Sequence, residues 1–418
     1  MSKATTKTPD APVLRFPNFS EPWSKSHLKD LVEQDRKITY GIVQPGKFVD
    51  DGIPLVRGGD YSSGWAPIDQ IKMVTKEVDA PYKRSKLAPG DLLMTIVGAN
   101  TGTVAVVPEW LAGANITQTT ARISIDKSKA VPGFIEQALK SPLGSREVRK
   151  YIKGAAQPGL NLSDVERFSI PTTSRGEQEK ISSFLRVIDD KINLARRQRE
   201  LIELYKKSCL QNMFRQELRL KDQSGKEFPA WEKKRLSDLV CRVRRKNDCS
   251  DDNVLTISAQ SGLVSQMDYF NHSVSAKDLS GYYRLLRGEF AYNKSYSRGY
   301  PLGAIKRLNE YESGVVSTLY ICFSAANSEM SNFLEWLFES QILNRELARI
   351  TQEGARNHGL LNMAIDDFFG LPVSIPSKPE RLAIVEFLNA IQRRLELADS
   401  ELSFAVTFKQ GLLQSMFV

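Results

Sequence analysis

Two short segments gather amides, cations and aromatic rings within a few residues: NKSYSRGY at 293–300 and GARNHG at 354–359. Arginine and lysine suit the acceptor edge of guanine, and asparagine and glutamine suit the mixed edge of adenine. Glycine turns let a backbone approach a ligand closely. On these grounds the second half of the chain offers Gln260, Asn293, Lys294, Tyr296, Ser297, Arg298, Arg356, Asn357 and His358 as candidate nucleic-acid contacts. The first half offers Arg57, Asn100, Thr101, Gln118, Lys153 and Gln157, which sit in or beside its own Gly-rich turns. Each has a plainer reading. NKSYSRGY could be a solvated hairpin, and Arg57 a structural ion pair with Asp60. The glycines of GAAQPGLN (154–161) and GARNHGLLN (354–362) could serve backbone geometry and packing against a long helix.

No motif supplies bond-breaking chemistry. An adenine methyltransferase needs a [DN]-P-P-[FY] run beside the flipped base, and none occurs. A Walker A loop needs a lysine after its glycines. The nearest pattern, Gly154 to Gly159, is followed by Leu160 and Asn161. H-E-x-x-H and G-x-S-x-G are absent, and no PD-(D/E)-x-K core stands out. Histidine occurs only as His27, His272 and His358, too sparse for a local metal or triad signature. The four cysteines, Cys209, Cys241, Cys249 and Cys322, form no C-x-x-C pair. They suit free thiols in a reducing cytoplasm. The polar start, Met1 to Pro12, has no apolar stretch of the signal-peptide kind, so a cytoplasmic location is expected.

A net charge of +9 suits an anionic partner, with nucleic acid foremost. The excess is uneven: residues 1–176 hold 24 Lys/Arg against 18 Asp/Glu, whereas residues 216–376 hold 20 of each. Binding by the second block must then draw on local clusters such as RVRRK (242–246) and Lys294 to Tyr300.

The elements that must position these residues come in two copies. RFPNFSEPW (15–23) answers EFPAW (227–231), and LAPGDLLMTIVGANTGTVAVV (87–107) answers LLRGEFAYNKSYSRGYPLGAIKRL (285–308). Ile181 and Ile384, Leu185 and Leu388, and Met213 and Met416 all keep one spacing, so the register holds through the segment. Both copies end in a 4-3 apolar pattern. The first runs Ile181, Leu185, Ile188, Ile192, Ala195, Arg199, Ile202, Lys206, Cys209, Met213. The second runs Ile384, Leu388, Ile391, Leu395, Ala398, Leu402, Ala405, Lys409, Leu412, Met416. This is a heptad seam. Each helix would be roughly 57 Å long at 1.5 Å per residue. Matched stripes from one duplicated module predict an antiparallel pair rather than two separate hairpins. The blocks before each helix read as mixed α/β, with short strands near 91–98, 101–107 and 318–325 and one amphipathic helix near 132–152 or 330–352.

The duplication, the heptad pair and the run GAAQPGLNLSDVERFSIPTTSRGEQEKI (154–181) together resemble the specificity subunits of type I restriction-modification systems. IPLVRGGDY (53–61) and the Gly-Asp/Glu-hydrophobic block before a Gly-rich stretch support the resemblance. The second copy departs from it, with an inserted residue and Glu380-Arg381 in place of Glu-Gln. The resemblance implies an α+β fold: two mixed α/β target-recognition domains separated by a pair of long antiparallel coiled-coil helices, an internal repeat about a pseudo-twofold axis. The expected divisions are target-recognition domains at 1–176 and 216–376 and spacer helices at 177–215 and 377–418. Each domain would read one half of a bipartite, asymmetric site in double-stranded DNA, with the helix pair setting the gap. The chain itself would be non-catalytic and hold no metal. Two methyltransferase subunits would carry S-adenosylmethionine and methylate adenine, and restriction/motor subunits would use ATP and Mg. A specificity subunit of a related restriction-modification class, or a helical scaffold that binds no DNA, are the alternatives.

Overall fold

The computed structural model describes residues 12–154, 156–248, 251–258, 262–270, 278–297, 299–353 and 361–417. The chain divides into two compact units, Met1–Gln198 with Ala398–Val418, and Arg199–Leu397. The two long helices, Arg175–Phe214 and Lys378–Met416, each contribute a part to either unit.

The seam read from the sequence is the buried stripe of both helices. None of its twenty side chains is exposed. In the first unit Ile181, Leu185, Ile188 and Ile192 share a core with Leu412, Leu413 and Met416. Lys409 reaches back to Asp189 at 2.5 Å. In the second unit Leu210 and Met213 share a core with Ile384 and Leu388, and Lys206 donates to Gln392 at 2.7 Å. In each unit the late part of one helix meets the early part of the other, so the pairing is antiparallel. Lys206 and Lys409 occupy the same place in the two copies. Burial lowers both amines from their ordinary pKa, and Asp189 partly offsets this for Lys409. A polar residue within an apolar seam favours one register over its slipped neighbours.

In front of the helices each unit carries a four-stranded antiparallel sheet of one topology. In the first the order is Thr39–Tyr40, Thr120–Ile123, Leu92–Thr95, Val104–Val106. In the second it is Val240–Arg242, Ile321–Ala325, Phe290–Asn293, Ala304–Arg307. A second pairing also recurs: Ser24–His27 with Ser169–Thr172, and Glu232–Arg235 with Pro372–Ile375. It delivers the chain straight into each long helix. The Gly-Asp/Glu block is a structural turn in both copies. Asp91 accepts from the Ala88 amide and from Arg36, and Glu289 accepts from the Leu286 amide and from Arg245.

The amphipathic helices are each broken where one was expected. Pro132–Lys140 stops at Ser141, which caps Pro142–Tyr151. Proline cannot continue a helix but starts one well. The second copy, Ser328–Glu339 then Asn344–Ile350, has no proline there. It turns instead at Gln341, whose φ of 57° is left-handed. No helix among the described residues is long and apolar enough to cross a membrane.

Candidate nucleic-acid interface

In the first unit the central hairpin of the sheet turns through residues 96–103. Gly98 donates to the Pro158 carbonyl at 2.9 Å, and Leu160 donates to the Ile96 carbonyl at 2.8 Å. The Thr101 hydroxyl bonds the carbonyls of Gly98 and Pro158 at 2.7 and 3.1 Å. Residues 156–161 therefore lie on this turn, with Gly159 bridged to Val97 and Lys153. Two more loops join. Ile96 donates to the Thr119 carbonyl, and Thr117 donates to the Val56 carbonyl. Four loops far apart in sequence are thus tied together at one end of the sheet.

Those four loops carry all six candidates of the first half. Asn100, Gln118, Lys153 and Gln157 are exposed, and Arg57 and Thr101 are half-buried. Lys153 stands 3.3 Å from Asp164, with its side chain 68% exposed. Arg57 does form the ion pair with Asp60 that its position allowed, at 3.0 Å.

What sequence reading missed is the hub beneath them. The Tyr61 hydroxyl lies 2.9 Å from Thr95 Oγ1 at the strand end. Burial pushes the Tyr61 phenol up to about 12, so it stays neutral and can donate. A Cβ on Gly58 would come within 2.6 Å of Thr95 Oγ1, which shows how closely this loop is drawn onto the strand. Tyr61 closes the quoted run IPLVRGGDY, but nothing local in the sequence points it at Thr95.

Part of this arrangement recurs in the second unit, on the hairpin formed by Phe290–Asn293 and Ala304–Arg307. Leu361 donates to the Lys294 carbonyl at 2.9 Å, matching the bond between Leu160 and Ile96. Asn293 ends the strand and accepts from the Ser295 amide at 3.1 Å. Tyr296 is 64% exposed. Ser297 and Tyr300 exchange backbone bonds at 3.2 and 2.8 Å. The far side of this hairpin is held by Glu339, which accepts from the Tyr300 hydroxyl at 3.0 Å and from Lys306 at 2.6 Å. Gln341 donates to the Gly299 carbonyl at 3.1 Å. Burial opposes the charge on Lys306, but Glu339 overrides it and holds the amine above its ordinary pKa. Burial and Glu339 together raise the Tyr300 phenol. Of the RVRRK cluster, Arg245 is committed to Glu289 and Lys246 to the Gly281 carbonyl, while Arg244 is exposed. Gln260, Arg298, Arg356, Asn357 and His358 lie outside the described residues.

The arrangement can do recognition chemistry: in the first unit three amides and an amine are exposed, and a guanidinium partly so, on loops fixed by backbone bonds. Comparison with known proteins gives the same direction. Residues 20–204 match the family model for the type I restriction modification DNA specificity domain. The chain is 37% identical over 161 residues to the type I restriction enzyme EcoBI specificity subunit of Escherichia coli, covering 38% of this chain and 34% of that one. It is 27% identical over 163 residues to the MjaIX specificity subunit of Methanocaldococcus jannaschii, covering 37% of each. The matches thus span about a third of the length of these curated relatives. The type I restriction-modification S subunit from M. genitalium has the same fold, with a TM-score of 0.57 at 15% identity, over 98% of this chain and 99% of that one. Residues 20–204 are thus similar to the type I restriction modification DNA specificity domain, and the chain shares the fold of the M. genitalium S subunit.

Proposed function

We propose that this chain is the sequence-reading subunit of a type I restriction-modification complex. Each unit reads one half of a split, asymmetric site in double-stranded DNA. The observation that carries this reading is the convergence of the six candidates of the first unit on loops at one sheet end. In the second unit Asn293, Lys294, Tyr296 and Ser297 lie at or just after the corresponding strand end of its own sheet, which supports the same reading. Phosphate contacts would hold the duplex and base-edge contacts would set the sequence. The chain carries no motif for methyl transfer or cleavage, so both reactions are assigned to partners. Methyltransferase subunits would bring S-adenosylmethionine to adenines flipped from the duplex. Restriction/motor subunits would bring ATP and Mg.

The test is single-molecule sequencing of DNA from cells expressing this chain with its methyltransferase, with and without residues 216–376 exchanged for the same block of another such chain. The expected result is modified adenine in one split motif, with only one half changed by the exchange. A soluble complex that yields no motif, or a motif indifferent to the exchange, would favour a scaffold that does not read DNA.

Docking of the methyltransferase is proposed on the outer flank of the helices. In the first unit Phe184, Val187, Leu194, Phe404 and Phe408 are exposed, and each directly precedes a seam residue. Apolar side chains repeated on one flank are costly in water unless a partner covers them. Phe404 and Phe408 stack at 6.2 Å. Glutamate at both positions is expected to weaken co-purification of the methyltransferase at least tenfold, leaving thermal unfolding of the free chain unchanged. Undiminished co-purification would move the docking site elsewhere.

A further inference from the structure

The rim of the first unit holds one guanidinium whose geometry says more than its charge. Arg57 engages Asp60 side-on, with Nε at 3.4 Å from Oδ2 and Nη2 at 3.0 Å from Oδ1. The carboxylate is fixed in turn by the Arg57 backbone amide, at 2.8 Å. A guanidinium has five N–H groups in one plane. Side-on pairing uses two of them and leaves the Nη1–Nη2 edge facing away from Asp60. The other arginines paired to the turn carboxylates are spent differently. Arg36 puts Nη1 and Nη2 on Asp91 and a further Nη2 bond on the Lys86 carbonyl. Arg245 puts both Nη atoms on Glu289 and Nη1 also on the Arg284 carbonyl.

We propose that Arg57 is a specificity-determining residue that reads a guanine in the major groove, its free Nη1–Nη2 edge donating to O6 and N7. This rests on the reading of the first unit as DNA-recognising. Two acceptors side by side in one plane are what a planar fork matches, and this pairing is the commonest specific arginine contact. The Asp60 carboxylate argues against the plainer role of phosphate binding. It stands beside the guanidinium, offsets its charge and would repel a phosphate, whereas a neutral base edge suffers no such repulsion. Preorganisation is also present. Asp60 is only 7% exposed, Gly58 is drawn onto Thr95, and the Tyr61–Thr95 bond fastens the next residue, so the fork is set before DNA arrives. Arg57 itself keeps 41% of its side chain accessible.

The decisive variant is Arg57→Lys, which keeps the charge and loses the fork. It is made in the full chain, expressed with the methyltransferase and read by sequencing of modified adenines. The exchange of residues 216–376 identifies the half-site read by the first unit. That half should contain a G·C pair in the parent. In Arg57→Lys the preference at that one position should fall by about ten- to a hundredfold, with every other position of the motif kept. Three results overturn the assignment while leaving the DNA-reading function intact: no G·C pair in that half, an unchanged motif at unchanged efficiency, or a uniform loss of methylation with the motif intact. Absence of any split motif in the parent chain would instead remove the reading on which the assignment stands, and the assignment with it.

Discussion

Arg219→Ala is expected to destabilise the second unit by about 3 kcal/mol, more than the matching Arg15→Ala destabilises the first. The first turn of each long helix carries a glutamate buried to 0% or 1% exposure, Glu177 or Glu380, and each is paired with an arginine far away in sequence, Arg15 or Arg219. A buried carboxylate that loses its partner keeps the cost of desolvation and loses the attraction that offset it. The copies differ in what remains. Glu177 also accepts from Trp23 Nε1 at 3.2 Å and from Thr173 Oγ1 at 2.5 Å. Those donors limit the cost of Arg15→Ala to about 1–2 kcal/mol. Among the described residues the side-chain bonds to Glu380 come from Arg219, and the buried Trp231 Nε1 and Ser377 Oγ find no hydrogen-bond partner there. Hydrogen exchange, resolved by segment across a urea series, reads each unit separately. Removing both charges in Arg219→Met/Glu380→Leu should recover most of the loss, since an apolar pair replaces a buried ion pair at little cost. Equal effects of the two single variants would mean that the extra donors at Glu177 contribute nothing.

What the sequence disclosed, and what it withheld, follows from the range of the interactions involved. The long helices were legible because Ile181, Leu185 and Met213 and their counterparts repeat at a period set by local geometry. Lys206 and Lys409 were visible as interruptions of that pattern. Their partners Gln392 and Asp189 were not, because no local rule pairs residues so far apart. The loops that carry the candidate contacts were legible through glycine and amide content, which marks turns wherever they fall. That four of them meet was invisible, since the meeting is made by bonds such as Thr117 to Val56 and Leu160 to Ile96. The helix break at Ser141 could be read from Pro142, whereas the break at Gln341 rests on a left-handed backbone that glutamine does not advertise. Glu339 shows the limit most clearly. On its own helix it reads as an ordinary acid, and only the fold sets it against Tyr300 and Lys306.

The duplicated hairpin gives the other large effect. Gly303→Ala is expected to destabilise the second unit by about 3 kcal/mol or more, beyond the usual range for a one-carbon change. Gly102→Ala, at the same place in the first unit, should cost about 1–2 kcal/mol. Both glycines have left-handed backbones, with φ of 78° and 95°, so either alanine suffers the conformational penalty. The surroundings separate them. A Cβ on Gly102 would meet the Val148 side chain at 3.0 Å, and a valine can shift by a few tenths of an ångström. A Cβ on Gly303 would lie 2.2 Å from the Asn293 carbonyl oxygen and 2.8 Å from the Tyr292 ring. Neither can yield cheaply. Asn293 pairs with Ala304 across the hairpin, and Tyr292 is fully buried with its hydroxyl donating to the Leu302 carbonyl at 2.7 Å. The hairpin must therefore open between Asn293 and Gly303, beside Lys294, Tyr296 and Ser297. If these residues read DNA, methylation by the Gly303→Ala complex should fall at least tenfold at a temperature where the first unit remains folded. Gly102→Ala should retain most of its activity there. Comparable unfolding midpoints for the two variants would show that the backbone at Asn293 yields as readily as the Val148 side chain, and that this hairpin is not the rigid frame its bonds describe.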